Sequence, residues 1–253
     1  MENLLPVLGL ATVGSILGLT GGVLMLSRKD WSRVISIHAI PFAAGVMLAV
    51  SFLDILPEAV EKSTVKDVFF VVLVVMVAIF LFEQFFLHFH HHSDLHKGHE
   101  HMELSRAVPL SIAGDTIHNF LDGVSIAAAY LVSPSLGLVV ALATFLHEIP
   151  QEMGDFGVML AAGWKRSRII LVNLMTALST YLGAVLVLLF ASSFQGHLNI
   201  LLAIAGGLFL YLGASVLLPE VHNDERDNPW HQAGLLLAGV IVIWLFGQLF
   251  PNA

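Results

Sequence analysis

The chain has 253 residues, of which 57% are hydrophobic and only 12% charged, with a mean hydropathy of +0.85. A soluble domain is nearer half apolar and a quarter charged, so this composition excludes a large water-soluble enzyme and a disordered chain. The net charge of −8 argues against a nucleic-acid partner, and the absence of cysteine leaves nitrogen, oxygen and thioether donors for any metal site.

A helix needs about 20 apolar residues to cross the hydrocarbon core. Eight stretches qualify, at 4–26, 34–57, 68–87, 107–132, 136–163, 168–191, 198–219 and 233–250. The reading is an all-α polytopic membrane protein, a single transmembrane domain over 1–253 set in a lipid bilayer. Met1-Glu2-Asn3 contains no basic residue, so the first span is expected as a retained helix and not a cleaved leader. The connections are short except 88–106, which holds seven of the thirteen histidines, from His88 to His101. Such tracts bind metal weakly and in many geometries. A metal-collecting or sensing role is expected there, alongside that of a solvated linker.

Cytoplasmic loops carry the excess of Lys and Arg. Arg28, Lys29, Arg33, Lys97, Arg106, Lys165, Arg166, Arg168 and Arg226 fall in connections on one side, and only Lys62 and Lys66 on the other. Both termini are therefore expected outside a cell membrane, the bacterial inner membrane or an equivalent plasma membrane. Leu56-Pro57-Glu58 ends span 2 and Leu218-Pro219-Glu220 ends span 7. The echo reads as an inverted repeat of spans 1–3 and 6–8; two independently similar helix ends are the alternative.

Spans 4 and 5 carry the chemistry. Ionisable groups at membrane depth are costly and functional by default, and here Asp115, His118, Asn119 and Asp122 face the sequence His147-Glu148-Ile149-Pro150-Gln151-Glu152 and Asp155. His118 and Asp122 share one helix face at i,i+4, as do His147 and Gln151. Each histidine lies about 16 Å into its span at 1.5 Å per residue, so both reach the midplane on antiparallel neighbours. Pro150 returns no N–H to the Leu146 carbonyl, which a hydrated cavity or a cation would satisfy. Imidazole plus carboxylate suits borderline divalent cations. The plainer reading is a polar network that glues helices together; matched depth and spacing on two helices favour metal.

At these residues the chain resembles the ZIP (Zrt-, Irt-like) divalent-metal transporters, in the branch with a His-rich cytoplasmic loop. The matching stretches are His-Asn-Phe-x-Asp-Gly at 118–123, His-Glu-Ile-Pro-Gln-Glu at 147–152 with Gly154-Asp155-Phe156, and Phe42 to Leu48. The resemblance implies uptake of Zn2+, or of Fe2+, Mn2+ or Cd2+, into the cytoplasm by alternating access. It implies one centre of His118, Asp122, His147 and Gln151, and a second of Asn119 and Glu148 sharing Asp122 and Gln151. It further implies a moving unit of spans 1, 4, 5 and 6 against a scaffold of 2, 3, 7 and 8, commonly dimeric, with Met47 near the outer gate. Glu220 and His222 mark a possible exit path. Two departures bear on the second centre: Gln151 replaces the usual His or Glu, and Thr180 stands where some relatives have Glu. Glu83 is expected to snorkel to the cytoplasmic interface.

The alternative class is an intramembrane zinc-dependent hydrolase, because His147-Glu148 begins like a zincin motif. A zincin needs a second His ligand at i+4; that position is Gln151, so no enzyme is expected.

Overall fold

The computed structural model describes residues 3–27, 29–91, 100–194, 196–223 and 228–249. Among them the chain is helical throughout, in eight long elements. α1 runs Leu4–Ala11, continues through a π turn at Thr12–Ile16, breaks over 17–19 and resumes at Thr20–Ser27. α2 is Lys29–Ala49 followed by a π turn at Val50–Ile55 and Leu56–Glu61. α3 is Val65–His91, α4 Glu100–Val132, α5 Pro134–Ala161 and α6 Arg166–Leu189. α7 is Leu198–Tyr211 with a π turn at Leu212–Leu217 and Leu218–Asn223, and α8 is Pro229–Leu249. The 92–99 stretch of the His-rich tract and the side chain of His222 lie outside the described residues.

Six of these helices are long and apolar enough to cross a membrane: Leu4–Ser27, Ile37–Glu61, Val65–Gln84, Arg166–Leu189, Leu198–Val221 and Pro229–Gln248. α4 and α5 are longer still, at 33 and 28 residues, but they carry the ionisable groups that lower their apolar character. Large apolar side chains face outward on α3 (Phe70, Leu73, Leu81), α6 (Leu171, Met175, Leu182) and α8 (Leu237, Ile241, Trp244). A water-soluble protein does not expose a belt of that kind. The molecule is a polytopic membrane protein.

Local chemistry explains the joints. Pro57 and Pro219 lack the N–H that an α-helix would return four residues back, and the ladder before each widens into a π turn. Ser133 takes the extended conformation that precedes a proline, and its Oγ accepts from the Leu136 N–H at 3.0 Å. A one-residue connection therefore lays α5 antiparallel to α4. The turn that follows α5 contains Gly163, whose φ of +80° only glycine adopts freely.

The helices sort into two groups by their contacts. α1 packs on α5 and α4 on α6, while α4 and α5 lie together. α2 packs on α8 and α3 on α7, while α2 and α7 lie together. Reciprocal glycines allow backbone to meet backbone in each group. A Cβ on Gly123 would strike the Thr180 carbonyl and one on Gly183 the Phe120 carbonyl; Gly45 and Gly239 stand likewise against Leu236 and Phe42. The groups meet along α2–α5 and α4–α7. On one half of that seam Met47, Val50, Ile126, Ala129, Val140, Ala143, Leu202 and Phe209 form one buried apolar core. On the other half lies a cavity.

Candidate metal centre

His118 and Asp122 project from one face of α4, His147 and Glu148 from α5, and their donor atoms lie within 4.8 Å of one another. Asp122 and Glu148 are fully buried and His147 nearly so. His118 Nε2 stands 3.0 Å from His147 Nε2, 3.6 Å from Asp122 Oδ2 and 3.4 Å from Glu148 Oε1. His147 Nε2 stands 3.2 Å from Asp122 Oδ2 and 3.7 Å from Glu148 Oε1. Four ligands at the ordinary zinc bond lengths of about 2.0–2.1 Å in a tetrahedron stand about 3.3–3.4 Å apart. The five separations bracket that edge, so the quartet accepts such a cation with small adjustments.

The donors are also chemically prepared. His147 Nδ1 lies 3.1 Å from the Ala143 carbonyl. A carbonyl only accepts, so Nδ1 is the donor in that contact, which leaves Nε2 as the nitrogen that can offer a lone pair to a cation in the quartet. The Phe209 ring meets His147 edge-on at 5.8 Å and fixes its plane. No oxygen of Asp122 or Glu148 has a hydrogen-bond partner. Buried carboxylates left in that condition are expensive, and a divalent cation supplies the charge and the contacts together.

α1 aims Glu148. Among the neighbours that a Cβ at Gly18 would meet, Glu148 Cβ is nearest; at Gly21 it is the Ile149 carbonyl, and at Gly22 the Phe156 ring. These glycines let α1 lie directly on α5 around Pro150.

The remaining site residues expected from the sequence have the following surroundings. Asn119 is buried, but its Oδ1 accepts from Ser15 Oγ at 3.1 Å and Thr180 Oγ1 at 3.0 Å. Its Nδ2 donates to Asp115 Oδ1 at 2.8 Å and the Asp115 carbonyl at 3.2 Å. Every site on that amide is used, which makes it a clamp joining α1, α4 and α6. Gln151 reaches Asp115, its Nε2 3.5 Å from Asp115 Oδ1. Met47 is fully buried in the apolar half of the seam, and Glu220 is exposed at the start of the last turns of α7.

The cavity, of about 520 Å³, reaches His118 from the ends where α3 finishes and α4 begins. Its walls include Phe82 and Glu83 of α3, Ser111, Asp115 and Leu121 of α4, Gln151 and Asp155 of α5, and Leu212 and Val216 of α7. Glu83 departs from the expectation that it snorkels: it lines this cavity and accepts a hydrogen bond from Tyr211 at 2.6 Å. Those two residues are 128 positions apart, so no local pattern announces the pair.

Comparison with known proteins identifies the family. The profile of the family described as "ZIP Zinc transporter" matches residues 90–247, more than half of the chain. Zinc transporter ZIP4 of Mus musculus is 38% identical over 146 residues, covering 55% of this chain and 22% of that protein. Zinc transporter ZIP10 of Homo sapiens is 34% identical over 165 residues, covering 64% of this chain and 20% of that protein. Metal cation symporter ZIP8 of Rattus norvegicus is 37% identical over 114 residues, covering 45% and 24%. The chain spans about a fifth of the length of these curated relatives.

Proposed function

This chain belongs to the ZIP zinc transporter family, and from that premise we propose that it carries a divalent cation, zinc foremost, across the membrane into the cytoplasm. The observation that carries the reading is the quartet of His118, Asp122, His147 and Glu148, with its near-tetrahedral separations and unpartnered carboxylates. Two neutral imidazoles and two carboxylates neutralise a divalent charge, and they form a thiolate-free site from which an ion can leave. Fe2+, Mn2+ and Cd2+ compete for the same donors. Here zinc is cargo and undergoes no chemistry.

All eight helices span the bilayer in this reading, with both termini outside, and 1–253 acts as one transport domain. Exchanging 1 with 6, 2 with 7, 3 with 8 and 4 with 5 turns the pairs α1–α5 and α2–α8 into α6–α4 and α7–α3, all of which are in contact. The π turns before Pro57 and Pro219 correspond under the same exchange. An inverted repeat of spans 1–3 and 6–8 accounts for both facts.

The two halves of the seam support an alternating-access reading. With cytoplasm on the Lys- and Arg-rich side, the cavity opens inward and the Met47–Phe209 core closes the outer half, so this is the inward-facing arrangement. Sliding α1, α4, α5 and α6 against α2, α3, α7 and α8 would open the outer half to a hydrated ion. The ion would shed water onto the quartet and depart through the cavity past the inner end of α7, where Glu220 and His222 stand. The second centre implied by resemblance, on Asn119, Glu148, Asp122 and Gln151, requires Asn119 to release Ser15 and Thr180.

Zinc uptake into proteoliposomes tests the reading. Wild type accumulates zinc, and Asp122→Asn, which keeps the shape and removes the charge, does not. Equal accumulation by the two proteins overturns it.

A further inference from the structure

The cavity beside His118 has two unlike walls. α3 and α7, from one helix group, line it with apolar side chains, among them Ile79, Phe82, Leu208, Leu212 and Val216. α4 and α5, from the other group, contribute the polar side chains Ser111, Asp115, His118, Gln151 and Asp155. A hydrated metal ion in transit is matched by the polar wall alone. The apolar wall faces a space of about 520 Å³, within the roughly 300–1,000 Å³ of pockets that take small organic ligands. Apolar surface left against water is unfavourable, and a ligand with an apolar body would cover it.

The polar wall has one acceptor that its own hydrogen bonds leave open. Asp115 is only 4% exposed. Its Oδ1 accepts from the Asn119 amide at 2.8 Å and the Gln151 amide at 3.5 Å, while Oδ2 has no partner. The nearby Thr176 hydroxyl donates elsewhere, to the Asn173 carbonyl at 2.9 Å. A buried carboxylate oxygen in that condition is costly until a donor reaches it. Asp155, which accepts from the Ser111 hydroxyl, and Glu83 of α3 add negative charge along the same space. No Lys or Arg stands among the described lining residues.

We infer that this cavity binds an organic ammonium ion, its apolar body on the α3–α7 wall and its N–H donors on Asp115. A metal ion with its water leaves the apolar wall uncovered, an anion meets three carboxylates, and a neutral apolar molecule leaves Asp115 Oδ2 unmet. Because the two walls belong to different helix groups, a bound ammonium bridges them and holds the inward-facing arrangement. That last consequence rests on the proposed function; the binding itself does not.

The test uses the full chain, metal-free, in lipid nanodiscs, with empty nanodiscs subtracted. The ligand is 1-pyrenemethylamine, followed by its fluorescence, and 1-pyrenemethanol is the uncharged match. Wild type should bind the amine saturably, one per chain, and about tenfold more tightly than the alcohol, because only the amine makes a charge-assisted bond. Asp115→Asn keeps an oxygen for the Asn119 and Gln151 amides and should bind amine and alcohol alike. Val216→Trp, at a position already 40% exposed, fills the apolar side and should weaken both ligands about tenfold or more. It serves as the second variant if Asp115→Asn does not fold. Amine binding no greater than to empty nanodiscs overturns the inference, as does full wild-type binding of the amine by Val216→Trp or an undiminished amine preference in Asp115→Asn. Saturating amine, and not the alcohol, should also stop zinc uptake into proteoliposomes; undiminished uptake with the amine bound overturns the bridging. Wild type that takes up no zinc even without amine would sink the proposed function and leave the binding result standing.

Discussion

Asn119 offers a sharp discrimination between clamping and ligation. Asn119→Ala deletes four buried hydrogen bonds, two at Oδ1 and two at Nδ2. Ser15 keeps its bond to the Ala177 carbonyl, so its loss is small. Thr180 loses an acceptor, worth about 1 kcal/mol, and the Asp115 carboxylate loses a close donor, worth about 1.5–3 kcal/mol for a charged group. With the space left by the amide, the cost is about 3–5 kcal/mol, or on the order of 10 °C in melting temperature for a chain of this size. The loss should appear in metal-free protein. Saturating zinc should still stabilise the variant, by about 2.7 kcal/mol at one hundred times the dissociation constant, because the quartet does not use this amide. Thermal melts in detergent, with and without zinc, read both quantities. A variant that melts like wild type without metal but gains nothing from zinc would refute the clamp and make Asn119 a ligand.

Four further outcomes follow from the same geometry. Gly183→Ala should cost about 1–3 kcal/mol through overpacking at the α4–α6 crossing, seen as a lower melting temperature; a neutral result would mean that the two backbones part freely. Gln151→His places an imidazole one turn from His147 and should tighten zinc binding in a chelator-competition titration, whereas unchanged affinity would mean that position 151 stays turned toward Asp115. Tyr211→Phe removes one hydrogen bond to Glu83 and should cost about 0.5–1.5 kcal/mol in chemical unfolding, with no change in zinc affinity; a large affinity loss would place Glu83 in the binding site. The cysteine-free sequence allows a clean accessibility assay: Leu121→Cys, on the cavity wall, should react with an impermeant thiol reagent added from the cytoplasmic side, and Ile126→Cys, in the closed half, should not. Equal labelling would contradict an inward-facing arrangement.

Much of the site was legible because helical spacing is a local property. His118 with Asp122, and the depth of His147, come from counting along two antiparallel helices. What spacing cannot tell is how far α5 rotates about its axis. His147 and Gln151 share a face by i,i+4, yet Glu148 enters the quartet and Gln151 turns to Asp115. That rotation is a tertiary matter, set where the glycines of α1 settle on Glu148 and Ile149. The same limit applies to Asn119, whose partners Ser15 and Thr180 are 104 and 61 residues away, and to Glu83. Pro57 and Pro219 mark their joints in the sequence, but the π geometry depends on which carbonyls the surrounding helices leave to be satisfied.

X-ray absorption at the zinc edge addresses the central claim most directly. The protein should be the full chain with its 88–101 histidines replaced by serine and zinc supplied at one equivalent. The account predicts a four-coordinate ion with two imidazole nitrogens and two carboxylate oxygens at about 2.0–2.1 Å, with the imidazole scattering gone in His118→Ala with His147→Ala. A wild-type spectrum without imidazole, or one that the double variant reproduces, would contradict it.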